Sequence, residues 1–104
     1  MTQRIDFIED LIRKGSVDPF VWYSRAMELR AMGHLAEALR AFEDVRERFG
    51  TYVATYLMAA QVAHELGQTE QARAWTQQGL EVARAKGDHH TYGELQGFLA
   101  TLGS

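Results

Sequence analysis

The sequence predicts an all-α protein, an α-solenoid of antiparallel helix pairs with about six helices and no strands. Three observations predict it. Apolar residues recur at helical spacing along nearly the whole chain, as in Trp22, Ala26 and Leu29, and again in Leu35, Ala38, Leu39 and Phe42. Glycines break the pattern at Gly15, Gly33, Gly67 and Gly87, where helices are expected to stop. The hairpin formed by residues 22–42 recurs in weaker form 34 residues later.

The totals agree with one folded domain. A chain of 104 residues buries roughly 65% of its unfolded surface on folding, enough for a real core. Hydrophobic residues make up 46% and charged residues 24%, which separates the chain from disordered sequences. The net charge of −3 has the wrong sign for attraction to phosphate backbones, so nucleic acid is not expected as a partner. With no cysteine there are no disulfides and no thiolate nucleophiles or metal ligands. Asp6, Glu9 and Asp10 interrupt the apolar residues near the start, unlike a secretory signal. No stretch approaches the roughly 18 apolar residues of a membrane span, so a membrane is not expected and cytoplasm is the default location.

Taken in order, Ile5, Ile8, Leu11 and Ile12 give the first helix an apolar face, and Gly15 and Ser16 end it. Asp18 before Pro19 is a strong start signal for the second, a capping carboxylate ahead of a proline at the first helical position. That helix is expected to reach residue 32, with the third over residues 35–48 after the Gly33 turn. A fourth helix over residues 53–66 carries Tyr56, Ala59, Ala60 and Ala63 on its core face. Thr69 is the expected cap of a fifth helix that runs to residue 85. Asp88 opens a sixth, with Tyr92, Leu95, Leu99 and Leu102 as its stripe and Phe98 beside it. Connections this short make successive helices antiparallel neighbours, in a single domain over residues 1–104.

An offset of 34 places Gly33 on Gly67, Trp22 on Tyr56, Ala26 on Ala60 and Ala38 on Ala72. The chain thus resembles the tetratricopeptide repeat, with Trp22, Ala38 and Phe42 kept in the first copy and Ala72 in the second. It departs from the family pattern at Arg25, Ala26, Leu29 and Gly50 in the first copy, and at Ala59, Ala60, Ala63 and Thr76 in the second. The same frame puts Ile5, Ile8 and Leu11 under Leu39, Phe42 and Val45. A slightly longer offset of 70 puts Asp88 on Asp18, Tyr92 on Trp22 and Gly103 on Gly33. The chain therefore parses as a half repeat over residues 2–14, repeats over 19–52 and 53–86, and a capping half repeat over 88–103. The resemblance implies a right-handed stack in which each hairpin is covered by its neighbours, with the end helices as lids.

The resemblance also implies a function, protein–protein interaction through a concave groove lined by the first helix of each repeat. Carried onto this chain, that surface comprises Phe20, Tyr23, Ser24, Met27, Arg30 and Ala31, then Ala54, Leu57, Met58, Gln61, His64 and Glu65. The last helix adds His90, Gly93, Glu94 and Gly97. Apolar and aromatic residues at such positions suit a peptide segment or helix of a partner. Alternatively, Phe20, Met27, Leu57 and Met58 pack between adjacent helices. Chaperone-tail recognition, which some family members perform with Lys and Asn, is not expected where Tyr23, Met27, Leu57 and Met58 stand.

Arg25 occupies a position where the family usually has Leu. Its stem can cover apolar surface while its head reaches water or a carboxylate, or its head can anchor an anionic group of a partner. Gly93 and Gly97 share one face of the last helix at a cost of about 1 kcal/mol each. Close approach of the preceding helix or a docking surface would offset that. His34, His64, His89 and His90 form no convergent metal set, and neither phosphate loop nor nucleophile elbow is present. The expected protein is thus neither an enzyme nor a cofactor binder. A second reading is a self-assembly unit that forms homo-oligomers through its terminal helices, with Phe98 at the exposed edge.

Overall fold

The computed structural model describes residues 3–103, so Thr2, the first residue of the expected opening half repeat, lies outside the described residues. Six α-helices follow one another: α1 (Arg4–Arg13), α2 (Pro19–Ala31), α3 (Leu35–Arg48), α4 (Ala54–Glu65), α5 (Thr69–Lys86) and α6 (His89–Thr101). Among the described residues there is no strand.

Local chemistry sets the helix ends. The Asp18 carboxylate accepts a hydrogen bond from the Phe20 N–H at 2.9 Å, with Pro19 opening the first turn of α2. Asp88 does the same for α6, accepting from the Thr91 N–H at 3.0 Å and the Thr91 hydroxyl at 2.7 Å. Thr69 is not the cap expected of it: it is the first residue of α5, after Gln68, which makes no side-chain cap bond. The turns after α2 and α4 are built alike. Gly33 (φ 80°) donates to the Arg30 carbonyl and His34 to that of Leu29, both at 2.9 Å. One repeat later, Gly67 (φ 79°) donates to His64 and Gln68 to Ala63, again at 2.9 Å. This paired bonding needs a residue in the left-handed region, which only glycine adopts without strain.

The helices form two compact units, one ending at Tyr52 and the other beginning at Val53. In the first, α2 packs between α1 and α3. Its core is bulky: Trp22, Leu39, Phe42 and Val45 are buried around Ala26. The Trp22 indole N–H donates to the Ser16 carbonyl at 2.9 Å, which ties the α1–α2 connection to the core. In the second unit, α5 packs against both α4 and α6, and α4 also reaches α6. Here the core is built from Ala59, Ala60, Ala63, Ala72 and Ala83, with Tyr56 and Trp75 packed at a centroid distance of 5.9 Å.

Along the expected apolar stripe of α6, Leu95 is fully buried and Tyr92, Leu99 and Leu102 are half-buried. One of the two explanations for the α6 glycines needs correction. Gly93 and Gly97 do not permit close helix approach, because a Cβ at either would meet nothing within 4 Å. The close approach belongs to Gly79 of α5, where a Cβ would lie 2.6 Å from the Tyr56 Cβ and 3.1 Å from both Leu95 methyls. Only a residue without a side chain lets α4 and α6 come that near to α5.

Candidate functional site

In the first unit an open groove of about 460 Å³ lies between α1 and α2. Residues at i, i+3, i+4 and i+7 form each wall. From α1 come Arg4, Phe7, Ile8 and Leu11; from α2 come Phe20, Tyr23, Ser24, Met27 and Glu28, with Val21 beside them. The floor is apolar. Phe7 is 63% exposed and Phe20 59%, unusual for rings on a folded surface. Arg4 and Glu28 face each other at 3.7 Å on the lip.

Tyr23 gives the groove a rigid base. Its ring packs against Phe42 at 6.0 Å and Tyr52 at 5.4 Å, so it is held from below by α3 and the following connection. Burial, then the neighbouring Tyr52 hydroxyl, pushes the Tyr23 phenol above its ordinary pKa. Tyr52 moves the same way, through burial and then Asp18. Both are neutral donors at physiological pH.

Four of the expected contact residues, Phe20, Tyr23, Ser24 and Met27, therefore share one groove. Arg30 is half-buried on α2 outside its lining. Leu57 is not an exposed contact: it is only 9% exposed and belongs to the buried surface of α4. Met58 and Gln61 are half-buried on that helix, and His64 is exposed, its ring edge-on to Phe98 of α6 at 6.0 Å. Phe98 is thus half-buried against His64, not a free edge. Gly93 and Gly97 are exposed on α6.

Sequence reasoning missed Phe7, because it lies off the stripe of Ile5, Ile8, Leu11 and Ile12. The repeat offset contains the signal: Phe7, Ala41 and Trp75 stand at equal steps of 34 residues. Ala41 and Trp75 are both 3% exposed.

Arg25 is resolved by its surroundings. Its guanidinium donates to Asp44 of α3 at 2.7 Å and lies 5.2 Å from the centroid of the Trp22 ring, with the side chain only 15% exposed. The buried Nε has no hydrogen-bond partner. An arginine so engaged is a strut between α2 and α3, with its stem on the core and its head on a carboxylate. Among the described residues no three His, Asp or Glu side chains gather as a metal set. No helix there is long and apolar enough to cross a membrane.

A tetratricopeptide repeat profile matches residues 29–91, more than half of the chain. The chain belongs to the tetratricopeptide repeat family. Solved structures agree. A tetratricopeptide repeat domain protein from Salinibacter ruber, in its solution structure, is 32% identical with a TM-score of 0.79, over 83% of this chain and 87% of that one. A crystal structure of a tetratricopeptide repeat domain protein from the same organism is 33% identical with a TM-score of 0.77, over 82% and 96%. A Bordetella parapertussis protein shares the fold at 20% identity, with a TM-score of 0.84 over 98% and 89%. No curated protein matches the chain. The matched residues take in α3, α4 and α5 whole.

Proposed function

We propose that this tetratricopeptide repeat chain is a non-catalytic interaction module that receives a peptide segment or helix of a protein partner in the α1/α2 groove. Domains of the family generally bind other proteins. One observation carries the reading: two large rings, Phe7 and Phe20, stand exposed on facing walls of an apolar groove whose base is held by packed aromatics. Apolar anchors in a preformed groove supply binding energy without much loss of receptor entropy. No cofactor, nucleic acid or membrane enters this reading, in keeping with the net charge of −3.

Affinity capture with wild type, Phe20→Glu, Met27→Glu and Met32→Glu tests it. Met32 is 45% exposed but outside the groove lining. Partners retained by wild type and Met32→Glu, and weakened about 30-fold or more by either groove variant, are the expected result. Identical retention by all four proteins rejects the groove.

A further inference from the structure

The second unit shows what belongs in a groove of this kind. There α4 lies on α5 and reaches α6, and its Tyr56 packs on Trp75, which is left 3% exposed. By the repeat offset α1 stands for α5 and α2 for α6, and Phe7 holds the place of Trp75. Among the described residues no ring covers Phe7 as Tyr56 covers Trp75, and Phe7 is 63% exposed. The helix that suits the groove is therefore one of α4's type, the first helix of a repeat.

The chain carries such a helix with its partner face open. On the longer offset of 70 that pairs α2 with α6, Tyr92 shares the place of Trp22 and hence of Tyr56, and Gly93 and Gly97 share those of Leu57 and Gln61. Tyr92 is half-buried, and both glycines are exposed. Among the described residues a Cβ on either glycine would meet nothing within 4 Å, so packing there does not explain two glycines in a helix interior.

We propose that α6 of one molecule docks in the α1/α2 groove of a second copy. Tyr92 then covers Phe7 as Tyr56 covers Trp75, and the Gly93 and Gly97 face lies against the wall that holds Val21 and Ser24. The contact would repeat between copies the packing of α4 on α5 and α6 in the second unit. Arg4 on the lip, 3.7 Å from Glu28 and still 77% exposed, holds the place of Ala72, beside the end of α4 in the hairpin. The equivalent last turn of α6 has no basic residue, so its carbonyl end faces a cation. The inference rests on the groove reading above and names the occupant of that groove. Because groove and helix are different surfaces, the contact is heterologous and adds copies head to tail.

Sedimentation equilibrium of the 104-residue chain over a range of concentrations tests this. The mean mass of wild type should rise continuously with concentration. Phe7→Glu, which spoils the groove, and Gly93→Arg, which blocks α6, should each lower the association constant by at least about tenfold. Circular dichroism should stay helical, since both sites are exposed. The two variants mixed should form a dimer and stop there, because one retains α6 and the other the groove. A wild type that stays monomeric at every concentration overturns self-docking. So does an assembly that survives both substitutions or a mixture that fails to pair. If the protein is monomeric but a partner is still lost on Phe20→Glu or Met27→Glu, the groove reading stands and only the second-copy occupant falls. Loss of both effects removes both.

Discussion

In the first unit α3 presents Ala41, Phe42 and Val45 to the core, whereas 34 residues on, α5 of the second unit presents Trp75, Thr76 and Gly79. Small, large and medium become large, small and absent. In the first unit α2 supplies Trp22 and Ala26; in the second, α4 supplies Tyr56, Ala59, Ala60 and Ala63. A close-packed interior constrains the total volume at a helix crossing more tightly than the identity of any one residue. The same hairpin thus survives a redistribution of its bulk, provided that a glycine opens the space the tryptophan takes up elsewhere.

The sharpest way to break this equivalence is to truncate the bulky member. Phe42→Ala, at a fully buried site, should lower the unfolding free energy by about 3–5 kcal/mol in urea denaturation. Thr76→Ala at the matching position should cost no more than about 1 kcal/mol, because its hydroxyl bonds only to the Ala72 carbonyl of its own helix, at 2.7 Å. Next in size is Gly79→Ala. The added methyl runs into the Tyr56 Cβ at 2.6 Å, and a loss of about 1–3 kcal/mol is expected despite the better helix propensity of alanine.

The opposite sign is expected on α6. Gly93→Ala and Gly97→Ala each gain up to about 1 kcal/mol in thermal or urea unfolding, since a methyl there meets open space. If Gly93→Ala destabilises the isolated monomer, the contrast with Gly79 fails. The smallest effects concern pH. Tyr23 has a raised folded-state pKa, so the unfolded chain loses that proton first. Its contribution is complete below the ordinary tyrosine value and disappears as the pH rises through the folded one. Tyr23→Phe should flatten that alkaline loss. Asp88 is lowered, first by the Thr91 N–H and then by its hydroxyl, so its contribution is present above the ordinary carboxylate range and is lost as the pH falls through the depressed value. Asp88→Asn should weaken that acid limb.

Helix positions were legible from one strand of evidence, the coincidence of apolar period with capping chemistry. Asp18–Pro19, Gly33 and Asp88 act through atoms of nearby residues, so their meaning survives without a tertiary structure. Thr69 shows where this fails: a residue of capping type directly after Gln68 cannot be told from a first-turn residue by composition alone. Of the candidate site, the α2 residues were legible because the family frame locates that face. Phe7 was not, since its role depends on whether any helix lies over α1. For Leu57 the sequence left exposure and packing between helices both open, because its burial is a property of the surroundings of α4.

The sequence by itself determined the helices, their turns and the repeat that relates them, because hydrogen bonds and caps span only a few residues and the offset of 34 is written in side-chain type. The tertiary structure alone decided which glycine marks a close approach, which arginine has a carboxylate partner and which apolar face remains uncovered. Gly79, Gly93 and Gly97 are the same residue in the same kind of helix. Only the distance to the next side chain separates them.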